Sequence, residues 1–188
     1  MHRSALIVGA TGLVGQRLLA RLLDDTDVSS VVALTRRPLS LPHPKLHEGV
    51  VDFASVADFA LPPVDDYFCC LGTTMAKAGS QAAFRAVDLD LPVTLARMAL
   101  AAGATRCFVV SALGADPRAT VFYHRVKGEL EAALGALPFA AVIAFRPSLL
   151  AGPRAETRIG ERIGLALARP LAGMLPARYR PIDADTVA

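Results

Sequence analysis

The amino-acid sequence predicts an α/β fold in which a doubly wound parallel sheet carries helices on both faces. Three observations lead to this prediction. Apolar, β-branched runs of strand length recur along the chain, helical segments follow most of them, and three glycines at three-residue spacing join the first run to the first helix. Strands that are buried on both faces appear as continuous apolar runs, and their alternation with helices is typical of this architecture.

The strands and helices follow from this alternation in chain order. The predicted strands are Ala5–Val8, Val31–Thr35, His47–Val51, Tyr67–Leu71, Arg106–Ser111 and Ala141–Phe145. The clearest helices are Leu13–Leu23, about Ser80–Ala102 and Val121–Leu134. Pro92 lies inside the second of these and is expected to kink it or split it in two. Between the second and fourth strands several prolines predict an abbreviated, helix-poor crossover.

Size and composition favour one globular domain spanning residues 1–188. The chain is 53% hydrophobic with a formal net charge of +3, which is too small to indicate a nucleic-acid partner by itself. No apolar run approaches the roughly 20 residues that span a bilayer, so we expect no membrane insertion. Cys69, Cys70 and Cys107 lie in apolar runs without metal-ligand spacing, which favours buried free thiols, no metal site and a cytoplasmic location.

The closing residues suggest that the domain continues. Asp183 is placed as the N-cap of a helix of which only the first turn follows, so we expect a C-terminal truncation. Residues 148–188 would form a small segment on the substrate side of the domain.

The three glycines have distinct expected roles in a nucleotide-binding turn. Gly9 would turn the chain tightly at the strand end, Gly12 would let the backbone approach a pyrophosphate, and Gly15 would let the helix pack close to the strand. The free N–H groups and positive dipole end of the helix would then hold the phosphates. This pattern predicts a dinucleotide site, because it lies between a strand and a helix.

A second set of residues points to proton transfer. Ser111 ends the fifth strand, and Tyr123 and Lys127 are four residues apart on the following helix, where they share one face. A phenol has a pKa of about 10 and needs a neighbouring cation to act near neutral pH, which Lys127 is placed to provide. Ser111 would lie where ligands bind in open α/β sheets and could hydrogen-bond a substrate oxygen.

Together, these motifs resemble the short-chain dehydrogenase/reductase superfamily. Cys70-Leu-Gly-Thr-Thr74, Lys77-Ala-Gly-Ser80, Phe84-Arg-Ala-Val-Asp88 and Ser111-Ala-Leu-Gly-Ala115 narrow the resemblance to its atypical branch, the HIV Tat-interacting oxidoreductase family and its bacterial relatives. The resemblance covers essentially the whole chain and implies a Rossmann-like NAD(P)-binding domain.

The resemblance also implies a cofactor site. Its expected pyrophosphate, adenosine and nicotinamide contacts are Gly9, Thr11, Gly12, Leu13, Val14, Gly15, Arg36, Arg37, Asp52, Phe53, Leu71, Gly72, Thr73, Lys127, Arg146, Pro147 and Ser148. Arginines rather than an acid follow the second strand, which favours the 2′-phosphate of NADP over NAD. Asp52 is equally suited to capping a turn.

The favoured function is an NADP-dependent oxidoreductase acting on a carbonyl or alcohol, with Ser111, Tyr123 and Lys127 as catalytic residues. An NADP-binding sensor or regulatory protein with little turnover is an alternative from a different class. A nucleotide-sugar epimerase or dehydratase is a third, although few residues follow the sixth strand for the substrate domain it would need. We expect a small-molecule substrate and leave a homodimer or a protein partner open.

Overall fold

The structure is a computed structural model that describes residues 2–148, 150–151 and 182–188. Within these residues, six parallel strands form one sheet in the order β3-β2-β1-β4-β5-β6. They are β1 (Arg3–Val8), β2 (Val28–Thr35), β3 (Leu46–Val50), β4 (Asp66–Cys69), β5 (Arg106–Val110) and β6 (Ala141–Phe145). The order reverses between β1 and β4, as in a doubly wound dinucleotide-binding sheet, so the predicted fold class is confirmed.

Helices connect these strands as expected. They are α1 (Leu13–Asp24), α2 (Met75–Ala78), α3 (Gln81–Arg85), α4 (Leu91–Ala101), α5 (Phe122–Gly135) and, near the end of the chain, α6 (Ala184–Val187). Between β2 and β4 the structure contains one short 3₁₀ turn, Val56–Asp58, which confirms the abbreviated crossover.

The long helix changes its hydrogen-bond register just before Pro92, where a disturbance was expected, and continues through the proline. A π-helical segment, Ala86–Asp90, joins α3 to α4, and Pro92 occupies the first turn of α4. Because proline has no N–H to donate, a change in hydrogen-bond register just before it is a low-cost way to continue the helix. The hydroxyl of Tyr67 donates to the carbonyl oxygen of Pro92 at 3.1 Å and holds this region against the sheet.

The core forms on both faces of the sheet, because successive side chains of a strand point to opposite faces. In β1, Leu6 and Val8 pack in the cluster with α4 and α5, whereas Ala5 and Ile7 pack against α1. The central strand is therefore buried on both sides, which explains its uninterrupted apolar sequence.

At the amino-terminal end of the sheet, an ion-pair cluster ties three strands together. Asp66 accepts hydrogen bonds from Nε and Nη2 of Arg3 at 2.9 and 2.8 Å, and from the same atoms of Arg106 at 2.7 Å each. Although burial disfavours the charged carboxylate, the two guanidinium groups hold the pKa of Asp66 below its usual value.

The end of the chain packs back on the first helix. Leu150–Ala151 and Ile182–Asp183 form a small parallel pair, and the Asp183 side chain caps α6 by accepting from the N–H of Asp185 at 2.9 Å. Asp185 in turn lies 3.0 Å from Nε of Arg17. The expected N-cap is confirmed. Most of the predicted substrate-side segment, residues 152–181, lies outside the described residues. Among the described helices, none has the length and apolar character that crossing a membrane requires.

Candidate functional site

The glycine turn between β1 and α1 requires glycine at two of its three positions. Gly9 has a φ of +79°, and a Cβ atom there would lie 2.5 Å from the carbonyl carbon of Cys70. A Cβ atom at Gly15 would overlap the carbonyl oxygen of Gly9, so α1 could not pack this close to β1. The Gly12 N–H donates to the Gly9 carbonyl at 2.9 Å and closes the turn. The chain therefore enters α1 tightly and directs the helix N-terminus toward the sheet edge.

A cleft of about 470 Å³ opens at the carboxyl ends of the strands, beside this turn. Ligands bind at this edge in open α/β sheets. Eleven of the residues expected from the sequence line it: Thr11, Gly12, Leu13, Val14, Arg36, Leu71, Gly72, Thr73, Ser111, Tyr123 and Lys127. The glycine turn and the expected proton-transfer residues thus share one cleft.

Ser111 follows β5 directly, and its backbone N–H donates to the carbonyl of Phe145 at 2.7 Å. The residue is 4% exposed, and its Oγ has no hydrogen-bond partner among the described residues. Burying an unpaired hydroxyl costs free energy, so such an atom in a cleft is a candidate contact for a bound ligand.

Tyr123 and Lys127 are positioned by the first turns of α5. Gly128 allows that helix to pack against the preceding loop, because a Cβ atom there would overlap the backbone of Asp116 and Pro117. The ring of Tyr123 lies edge-on to that of Phe84, with centroids 6.0 Å apart. Tyr123 is partly exposed whereas Lys127 is buried, so the phenol lies nearer the cleft opening.

Lys127 forms an ion pair at the base of the cleft. Its Nζ lies 2.8 Å from Oδ1 of Asp88, and both side chains are almost fully buried. The second oxygen of Asp88 accepts from the N–H of Thr73 at 2.8 Å. Burial opposes the charge on Lys127, but Asp88 and Tyr123 outweigh it and raise the pKa of the ammonium group.

The two arginines after β2 differ in position. Arg36 lines the cleft and Arg37 does not. Just before them, the hydroxyl of Thr35 is buried and has no partner within the described part of the chain. A cation and an unpaired hydroxyl therefore lie at the end of β2, where a ribose would be recognised.

Several expected cofactor contacts do not line the cleft. Arg146 is held by Glu131 of α5, with Nε 3.0 and 3.1 Å from the two carboxylate oxygens. Asp52 accepts from the N–H of Ala54 at 3.0 Å, which is the turn-capping role, and Phe53 packs on the core. Gly9, Gly15, Arg37, Pro147 and Ser148 are likewise outside the cleft lining.

The structure adds residues that sequence reasoning did not assign to the site. Gln16, Cys70, Lys77, Asp88, Val110 and Leu150 also line the cleft. The position of Asp88 was a signal in the sequence, because this acid falls between Phe84 and Leu95 on the face of its helix that is buried. A carboxylate in an otherwise apolar stripe needs a partner, and that need is itself a clue to function.

The fold and the cleft define a dinucleotide-binding protein of the Rossmann type. A family model described as NAD(P)H-binding matches residues 9–141. Protein HTATIP2 of Rattus norvegicus is 37% identical over 180 residues, covering 93% of this chain and 72% of the rat protein. Mitochondrial protein FMP52 of Coccidioides immitis is 38% identical over 169 residues, covering 82% and 69%. The chain therefore belongs to the NAD(P)H-binding family, as an atypical short-chain dehydrogenase/reductase related to HTATIP2 and FMP52.

Solved structures agree in fold. MoeE5 in complex with UDP-glucose and NAD superposes with a TM-score of 0.69 at 22% identity, covering 87% of this chain and 60% of that one. Human epimerase family protein SDR39U1 with NADPH superposes with a TM-score of 0.61 at 17% identity, covering 86% of this chain and 59% of that one. The chain thus spans about three fifths of the length of these structures. The compared relatives are eukaryotic proteins and FMP52 is described as mitochondrial, so the cytoplasmic location expected from the sequence stays a prediction.

Proposed function

We propose that the protein is an NADP-dependent oxidoreductase that interconverts a carbonyl and an alcohol. The observation that carries this proposal is the shared cleft: Ser111, Tyr123 and Lys127 line the same space as the glycine turn. The buried, unpartnered Oγ of Ser111 is the strongest single feature, because it offers a hydrogen bond that the described residues leave unused.

The residues fit a dinucleotide. The turn around Gly12 and the N-terminus of α1 suit a pyrophosphate, and Arg36 at the end of β2 suits the adenosine ribose. A bound nicotinamide would supply or take up a hydride. In the reducing direction, Ser111 donates a hydrogen bond to the substrate oxygen and Tyr123 gives that oxygen its phenolic proton. The ammonium of Lys127 then stabilises the phenolate that Tyr123 has become.

Arg36 supports NADP as the cofactor, since a guanidinium pairs with a phosphate through charged hydrogen bonds. Arg36→Ala should weaken NADPH binding by about 10-fold to 100-fold and leave NADH binding nearly unchanged, because one charged hydrogen bond contributes roughly 1.5–3 kcal/mol. Arg37→Ala is the matched control, since it removes the same charge outside the cleft lining. Equal losses for both cofactors in Arg36→Ala would contradict the NADP preference.

Turnover is tested by a screen of aldehydes, ketones and quinones with NADPH, followed by absorbance of the reduced nicotinamide. We expect one class to be reduced, and Tyr123→Phe to lose at least 100-fold in kcat with NADPH affinity retained. NADPH binding without turnover in any class would favour the alternative of a sensor or regulatory protein. Full activity of Tyr123→Phe would overturn the proposed proton-transfer role.

A further inference from the structure

Asp88 is the buried acid of the cleft, and two contacts fix its carboxylate. It is fully buried, Oδ2 accepts from the backbone N–H of Thr73 at 2.8 Å, and Oδ1 lies 2.8 Å from Nζ of Lys127. Asp88 therefore connects the loop after β4 with the helix that carries Tyr123 and Lys127.

The backbone around Asp88 is specialised for this position. Asp88 lies within the π-helical segment Ala86–Asp90, which directly precedes Pro92. A π-helical turn shifts the residues after it around the helix axis, and such turns occur frequently at functional sites. Here the segment places a carboxylate between Phe84 and Leu95, on a face that otherwise packs in the core.

Within the described part of the chain, the surroundings of Lys127 provide one carboxylate. The titratable groups that act on it are Asp88 of the π-helical segment, Tyr123 of its own helix and Cys69 of β4. Burial raises the pKa of the Cys69 thiol, so that group stays neutral and supplies no charge. A lysine that is 3% exposed would readily lose its proton without a counter-charge, because a dry environment disfavours the ammonium.

We propose that Asp88 is a positioning residue that keeps Lys127 in the cleft as a charged ammonium group. The proposal rests on the proposed function, in which that ammonium stabilises the phenolate of Tyr123. A buried ion pair contributes little to stability by comparison with apolar packing, so its presence at the base of a ligand cleft points to a functional purpose.

The test compares the charge of Lys127 in the wild type and in Asp88→Asn. The chain has three lysines, Lys45, Lys77 and Lys127, so isotope-labelled lysine side chains give three resonances that single substitutions assign. The asparagine carbonyl can still accept from Thr73, but its amide N–H groups face Nζ and favour the neutral amine. We expect the pKa of Lys127 to fall in Asp88→Asn, because the carboxylate that favours the ammonium is gone.

Asp90→Asn is the matched control, because Asp90 is exposed in the same segment and its removal takes away the same charge. That variant should leave the Lys127 titration unchanged. In the wild type alone, the Lys127 resonance should remain that of an ammonium at a pH above the reference pKa of a lysine side chain, about 10.4. A wild-type Lys127 that loses its proton below that reference value overturns the proposal, and this holds even where Asp88→Asn does not fold.

A kinetic measurement separates this inference from the proposed function. Turnover of Asp88→Asn should fall by about 10-fold as the pH rises through the lowered pKa of Lys127, and recover as the pH is reduced, whereas a purely structural defect would not recover. If the Lys127 titration shifts but no carbonyl substrate is reduced by the wild type, the proposed function fails and the role of Asp88 stands. If substrates are reduced and the titration does not shift, the role of Asp88 fails.

Discussion

Two buried aspartates lie at opposite ends of the same sheet and differ in how well they are satisfied. Asp66, at the amino-terminal end, receives four hydrogen bonds from two guanidinium groups that remain about one third exposed. Asp88, at the carboxyl end, accepts one hydrogen bond from the N–H of Thr73 and faces, among the described residues, a single ammonium that is almost fully buried.

We interpret the surroundings of Asp66 as an arrangement that stabilises the fold and those of Asp88 as part of a ligand site. Around Asp66, the described side chains complete their own hydrogen bonds, and the cations keep part of their hydration. At the carboxyl end of the sheet, the buried hydroxyls of Ser111 and Thr35 have no partners in the described chain. Incompletely satisfied buried groups cost free energy, and they are expected where a ligand completes them.

Ser111→Ala tests the carboxyl end with the largest expected effect. Turnover should fall by about 100-fold, because the substrate oxygen loses a preorganised donor, whereas the free energy of unfolding should not decrease, since the hydroxyl has no partner to lose. Steady-state kinetics and urea denaturation measure the two quantities. Ser80→Ala is the matched control: Ser80 caps α3 by accepting from the N–H of Ala83 at 3.1 Å, so it should cost about 1 kcal/mol and little activity.

Asp66→Asn tests the amino-terminal end. Two guanidinium groups lose their carboxylate, so the free energy of unfolding should fall by about 2 kcal/mol, less than for a fully buried pair because both arginines are partly hydrated. NADPH affinity and turnover should stay within about twofold of the wild type. Chemical denaturation gives the first quantity, and Asp90→Asn, at an exposed site, should change stability by less than about 0.5 kcal/mol. A large loss of activity in folded Asp66→Asn would erase the distinction between the two ends.

The difference in stability between the wild type and Asp66→Asn should depend on pH, and this dependence provides a sharper test. The pKa of Asp66 is lowered in the folded chain, so its contribution is fully present above the pKa of an unfolded aspartate, about 3.9. It is lost as the pH falls through the lower folded value. The gap between wild type and Asp66→Asn should therefore be constant near neutral pH and close under acidic conditions. Denaturation midpoints measured across this range would show a gap independent of pH if the carboxylate charge were unimportant.

Most of the fold could be predicted from the sequence, because a doubly wound sheet has strong local signals. All six predicted strands are present, and the glycine turn is geometrically required at Gly9 and Gly15. The π-helical segment could be anticipated only as a disturbance near Pro92, since the Tyr67 hydroxyl that donates to Pro92 comes from a strand 25 positions away along the chain. The small pair formed by Leu150–Ala151 and Ile182–Asp183 joins distant segments and has no local signature.

The site was predicted less completely, for a physical reason. Residues with a motif, such as Ser111 and Tyr123, were expected in the site and line the cleft, whereas Asp88 reaches it through a contact with Lys127, 39 positions away along the chain. Its charge on an apolar helix face was visible in the sequence, but its partner was not. For Arg146 the resemblance supplied a role as a cofactor contact, whereas the structure pairs its guanidinium group with Glu131, so that role stays a prediction.

Arg146→Ala has the smallest expected effect. It removes the ion pair between Arg146 and Glu131, which lies at the carboxyl end of the sheet. Arg146 is about half exposed, so losing its contact with Glu131 should cost about 0.5 kcal/mol of unfolding free energy, and NADPH affinity should change by less than twofold. Glu131→Gln removes the same contact from the other side. Because both substitutions remove one ion pair, the double variant Arg146→Ala/Glu131→Gln should be no less stable than either single variant. Fluorescence titration with NADPH measures the affinity. A tenfold loss confined to Arg146→Ala would mean that the guanidinium leaves Glu131 and contacts the cofactor, which would return this residue to the binding site.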